Sequence, residues 1–239
     1  MKQLKNILFK RQFHIFKLQL SIWDIAVLFL FLYYIVTTTS NVVSQLLILL
    51  MAIILHEIAH GYAALYLGDP TAKNQNRLTL NPLHHIDPLG SVILPLILLL
   101  TGSPFFIGWA KPVPVNPRFF RDPLKGMMLV AIAGPATNIT LMLLAISILK
   151  FIGTLTLSLT PFIVLVIQLC KDAIIINSVL AVFNLIPIPP LDGSKILLYV
   201  LPKPLRATYQ SLEPYGMPII FLCAIFGVFG RILNYTIPP

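Results

Sequence analysis

The sequence predicts an all-α, multi-pass membrane protein, and three observations predict it. The 239 residues are 57% hydrophobic and only 10% charged, with a mean hydropathy of +0.88, whereas soluble domains use roughly 25% charged residues. Several apolar runs reach or approach the roughly 20 residues that carry a helix across a bilayer. The loops between them are too short to hold a second core, so a single transmembrane domain over residues 1–239 is expected.

Taken in order, Met1 to Gln19 carries Lys2, Lys5, Lys10, Arg11 and Lys17 without an acid, ahead of an apolar segment at about Ile22 to Val36. Thr37 to Ser40 does not resemble a signal-peptidase site, so a retained first helix with a cytosolic N-terminus is expected. Val42 to Leu67 makes the second span, running inward. Thr71 to Pro82 alternates Thr and Leu between Asn and Pro, which predicts a short extended or hairpin element at the cytoplasmic surface. Leu89 to Thr101, interrupted by Pro95, is short enough for a re-entrant segment. Gly108 to Pro117 is too rich in proline for a helix, and an extended, membrane-embedded stretch buried in protein fits it better. Gly126 to Leu149 is a third span, loosened at Gly134-Pro135, and Pro161 to Ile186 a fourth. An extended stretch then carries Asp192, and Met217 to Leu233 closes the chain as a last span. About five full spans plus the re-entrant segment result.

The net charge of +9 comes largely from the N-terminal tail and from Lys111 to Lys125. Beside apolar segments such clusters mark the cytoplasmic face, and nucleic-acid binding is not expected. Cys170 and Cys223 lie in apolar runs far apart, and are read as buried thiols.

The chemistry concentrates in His56-Glu57-Ile58-Ala59-His60. On a helix the two histidines share a face one turn apart, where both imidazoles can bind one Zn²⁺ and Glu57 is free to take a proton from water. A catalytic zinc needs a third protein ligand. Asp192, Asp172 and the His84/His85/Asp87 group are the candidates, while His14, Asp24, Asp69, Asp122 and Glu213 read as solvated. If Leu89 to Thr101 crossed fully, Lys111 to Lys125 would lie outside, against the positive-inside rule. If it is re-entrant, Asp192 returns to the side of His56 and His60, whereas Asp172 lies near the outer interface with its charge in reach of water.

His56-Glu57-x-x-His60, Gly134-Pro135-x-x-Asn138 and Asn184-Leu185-x-Pro187-x-Pro189-Pro190-Leu191-Asp192-Gly193, in this order in a multi-pass chain, resemble the site-2 protease family of intramembrane zinc metalloproteases. The likeness runs over a core of about 42–200. It implies one Zn²⁺ per chain on His56, His60 and Asp192, with Glu57 as general base and acid. It further implies that Asn138 and Asn184 help position substrate, and that Gly108 to Pro117 lies near it. Peptide bonds in or near transmembrane segments of membrane proteins would be the substrates, in a minimal form without PDZ or CBS domains. The expected setting is a bacterial cytoplasmic membrane, with the active-site mouth toward the cytosol. Two alternatives use the same polar residues: an ion or proton transporter, and a catalytically silent membrane scaffold. Oligomeric state is not readable from the sequence.

Overall fold

Helix α1 (Asn41–Tyr66) runs 26 residues without a proline. It ends where Gly68 takes φ +103°, a left-handed conformation that glycine adopts without strain. The Asp69 N–H then closes onto the Ala64 carbonyl at 2.9 Å. The structure, a computed structural model, describes residues 13–15, 18–20, 41–101, 108–155, 160–228 and 231. The expected first span at about Ile22 to Val36 lies outside them. Near the N-terminus, β1 (Phe13–Ile15) and β2 (Leu18–Leu20) pair antiparallel, Phe13 opposite Leu20, inside the stretch read as a basic tail.

Thr71 to Pro82 is not the extended or hairpin element that its alternation suggests. Thr71–Asn74 forms a helical turn, α2, because the Asp69 carboxylate accepts the Thr71 N–H and starts it. Asn81 starts a second short turn at Pro82–His84 by accepting from Leu83. Local side-chain bonds of this kind outcompete a strand ladder that has no partner.

A wide turn, Pro88–Ile93, capped by Asp87 through Leu89 and Gly90, leads into α3 (Leu94–Leu100). Together they make 13 helical residues, or roughly 20 Å of rise, against a hydrocarbon core of about 30 Å. From Gly108 to Asn116 the chain is non-helical and without a strand partner. The Trp109 N–H reaches the Gly90 carbonyl at 3.2 Å and the Lys111 N–H the His85 carbonyl at 2.9 Å. The chain just before α3 and the chain at 109–111 are therefore hydrogen-bonded to each other.

Helix α4 (Pro123–Thr154) is 32 residues long, with Asp122 as its cap and Pro135 inside it. Helix α5 (Pro161–Leu185) follows and stops before Pro187. Helices α6 (Asp192–Val200), α7 (Lys203–Gln210) and α8 (Gly216–Ile225) complete the described chain. Among the described residues three helices, α1, α4 and α5, are long and apolar enough to cross a membrane. Among the described residues, the expected last span gives the ten residues of α8 and a turn, with Val228 and Arg231 again helical. Helix α4 packs against α1, α5 and α6, so it is the element around which the site is assembled.

Candidate metal and catalytic centre

The buried side of α1 carries Ala52, Ile54, Ile58 and Ala64, and His56 and His60 lie among them. Their two Nε2 atoms stand 3.0 Å apart. Asp192, the first residue of α6, brings Oδ2 to 3.2 Å from His56 Nε2 and 3.3 Å from His60 Nε2. Tetrahedral zinc with ligands at about 2.0–2.2 Å separates neighbouring donors by roughly 3.3–3.6 Å, so the triangle is close to the size the ion requires.

The far sides of both rings are tied off. His56 Nδ1 meets Asn138 Oδ1 at 2.6 Å, and Asn138 Nδ2 donates to Asn177 Oδ1 at 3.0 Å. Asn177 Nδ2 in turn donates to the Ala173 carbonyl, which fixes each amide's orientation. Asn138 thus presents an acceptor, and the ring proton of His56 sits on Nδ1. His60 Nδ1 likewise donates to the Val130 carbonyl at 2.7 Å. Both Nε2 lone pairs then point at Asp192 Oδ2, a buried oxygen with no hydrogen-bond donor among the described residues. Three converging lone pairs need a cation, and outer hydrogen bonds of this kind orient metal-binding imidazoles.

Room for this cluster is made at Gly134. A Cβ there would lie 2.5 Å from both imidazole Cε1 atoms, so only glycine lets α4 approach the pair. On the other side, the loop bearing Asp192 is held by Tyr209, whose hydroxyl donates to the Pro187 carbonyl at 2.9 Å. Lys195 Nζ donates to the Pro190 carbonyl at 2.6 Å.

Glu57 is half-buried beside this triangle, and its Oε2 accepts the main-chain N–H of Val113 at 2.8 Å. Among the described residues, the remaining sequence candidates do not enter the triangle. Asn184 donates to the Leu180 carbonyl of its own helix. His84 is exposed, while His85 is buried, with Nε2 2.8 Å from the Thr79 carbonyl. Asp69, read as solvated, is fully buried and accepts from Thr71 and Asn116. Asp172 is also buried rather than in reach of water, and accepts from Ser44, Gln45 and Gln168. Asn177 and Val113 were not singled out in the sequence. A polar residue within an apolar span hints at the first, and nothing hints at a main-chain donor.

A cavity of about 590 Å³ between α1, α4 and α5, lined by side chains such as Leu47, Leu144 and Phe162, lacks convergent polar groups and is not the chemical site.

The family model described as peptidase family M50 matches residues 161–226. YwhC of Bacillus subtilis (strain 168), which carries the name of a zinc metalloprotease, is 39% identical over 180 residues, covering 72% of this chain and 75% of its own. Rip2 of Mycolicibacterium smegmatis (strain ATCC 700084 / mc(2)155), also named as a zinc metalloprotease, is 30% identical over 196 residues, covering 76% and 66%. Rip2 of Mycobacterium tuberculosis (strain ATCC 25618 / H37Rv) is 26% identical, covering 74% and 63%. No solved structure matches the chain significantly.

Proposed function

The chain belongs to peptidase family M50, the site-2 zinc metalloproteases, and from this we infer that it cleaves membrane-protein substrates in or near their transmembrane segments. It is an intramembrane zinc metallopeptidase, and the ion would be held by His56, His60 and Asp192. The observation that carries this reading is the convergence of three lone pairs within 3.3 Å, with both imidazole Nδ1 atoms already engaged elsewhere. Zinc there supplies Lewis acidity to the scissile carbonyl and makes water easier to deprotonate.

Glu57 takes the proton from the attacking water and returns it to the leaving amine. Asn138 acts through His56, holding its ring in the metal-binding tautomer. Asn184 has its amide committed to Leu180, so its carbonyl oxygen is the atom available to a substrate N–H. A helical substrate has its carbonyls engaged within the helix and must unwind before attack, which favours glycine or proline near the cleaved bond. The extended stretch from Gly108 to Pro117 is suited to receive such an unwound segment alongside it. The outer edge there is short of donors, since positions 112 and 114 are proline, so a paired substrate would mainly donate to its carbonyls.

Residues 88–101 are read as re-entrant, supported by their length and by the hydrogen bonds between the chain just before α3 and the chain at 109–111. The mouth of the site then faces the cytosol, on the side of Lys111 to Lys125.

Glu57→Gln tests the reading. The variant should keep about one zinc per chain and lose cleavage of membrane substrates, measured by zinc content and by which membrane proteins accumulate in cells. Zinc-free wild-type protein, or a cleaving Glu57→Gln variant, would sink the assignment. The transporter alternative predicts transport without proteolysis, and no relative's name supports it.

A further inference from the structure

We infer that the main-chain N–H of Val113 is a positioning group for Glu57, and that through it the extended segment 109–116 sets the orientation of the catalytic carboxylate. This rests on Glu57 being the general base. The segment has four hydrogen-bonded amides: Trp109 to the Gly90 carbonyl, Lys111 to the His85 carbonyl, Val113 to Glu57 Oε2 and Asn116 to Asp69 Oδ2. Three of them end on groups that take no part in the chemistry. Only the Val113 bond enters the site.

The segment is held on both sides of that bond. Buried Arg77 donates from a terminal guanidinium nitrogen to the Lys111 carbonyl at 2.8 Å. Buried Asp69 accepts the Asn116 N–H at 2.6 Å and is itself fixed by the Thr71 N–H at 2.9 Å. Pro112 and Pro114 flank Val113, narrow its backbone freedom and leave it the only donor between Lys111 and Val115. The segment also lies directly on α1 one turn past Glu57. A Cβ on Gly61 would sit 3.1 Å from Val113 Cγ1.

A glutamate on a helix surface has several rotamers, and a base must be held within a narrow range of geometry to take a proton. With Oε2 engaged by Val113, Oε1 is the oxygen left for the attacking water. The same stretch of backbone is the one a substrate would lie against. A substrate that shifts the segment therefore moves the base with it, which links substrate engagement to the readiness of Glu57.

The test uses three forms of the chain altered at position 113 and two altered at Glu57, in detergent micelles. Val113→Ala keeps the N–H, Val113→Pro removes it, and an ester at position 113, made by incorporating the α-hydroxy acid of valine, removes it without adding a ring. Hydrogen exchange over peptide 108–117, in zinc-free protein, reads the bond without any turnover. Glu57→Ala should speed exchange of one amide about tenfold or more, and Glu57→Gln should leave it near wild type. Cleavage of a fluorogenic single-span peptide with a glycine-rich centre reads the consequence. We expect kcat to fall about 10- to 100-fold in the proline and ester forms, as for loss of a hydrogen bond to a charged group. KM and zinc content should stay within about threefold of those of Val113→Ala, which keeps the N–H and is the reference for the other two forms.

Unchanged exchange in Glu57→Ala, or an ester form with the kcat of Val113→Ala, overturns the proposal. A loss confined to KM also overturns it, since that would be a substrate contact alone. If the proline form does not fold, the ester decides, and an unfolded ester form would show the bond to be a structural staple instead. A cleaving Glu57→Gln variant would instead remove the reading of Glu57 as base, which separates the two failures.

Discussion

At Gly134 a hydrogen atom is all that separates α4 from the two imidazoles. Adding a methyl group there places carbon 2.5 Å from His60 Nε2, inside any contact that atoms tolerate. The flexible end that would have to move is the donor itself. Gly134→Ala should therefore lower zinc affinity more than tenfold while leaving the spans helical, as read by zinc titration and circular dichroism on one sample. Near-normal zinc binding would mean that α4 slides at no cost. Asn138→Ala acts one step further out, removing the acceptor that keeps the His56 proton on Nδ1. Loss of such an outer bond typically costs 10- to 100-fold in metal affinity, and the same zinc titration checks it. His56, Glu57, His60 and Asp192 were legible because each needs a chemically distinctive side chain at a set spacing. Gly134 reads only as loosening its helix and as part of a motif, and Val113 is not singled out, because what matters at those positions is the absence of a side chain and a backbone N–H.

Among the elements, three of the long apolar runs became helices long enough to cross a membrane, α1, α4 and α5, whereas the expected last span gave the ten-residue α8 among the described residues. Polar loops were read less well. Thr71 to Pro82 became two capped turns because Asp69 and Asn81 bond to nearby N–H groups, and alternation alone does not reveal that competition. Asp172 shows the same limit for charge. Helical rise placed it near the outer interface, yet Ser44 and Gln45 of α1 and Gln168 of α5 enclose it, making a polar staple between two spans. Removing the carboxylate takes the acceptor from Gln45 on α1 and Gln168 on α5. Asp172→Ala should thus cost about 0.5–2 kcal/mol, the range of interhelical hydrogen bonds in membranes, or a few degrees in Tm. Zinc content should not change, since roughly 20 Å of α5 separates this staple from the helix end that leads to Asp192. Loss of zinc in this variant would show that the two ends of the bundle are coupled.

Across the whole molecule, three helix ends meet at one end of the bundle. The end of α1 is joined to the start of α4 through Asp69 and Asn116, and His60 of α1 meets Asp192 just past α5. Lys73, Arg77, Lys111, Arg118, Arg121, Lys125 and Lys195 cluster at this end, while Lys150 and Lys171 lie toward the other. Basic residues accumulate on the cytosolic side of a membrane protein, so the metal end should face the cytosol. The orientation also decides where residues 88–101 go. With the chain just before α3 bonded to the chain at 109–111 through Gly90 and Trp109 and through His85 and Lys111, they should enter and leave on that same side if the re-entrant reading holds. A single cysteine at Arg121, in a background lacking Cys170 and Cys223, should react with an impermeant maleimide in inside-out vesicles only. A second at Lys73, at the opposite end of the extended segment's staples, should behave alike. Labelling of Arg121→Cys from outside would turn the bundle over, and labelling of the two cysteines from opposite sides would require residues 88–101 to cross the membrane.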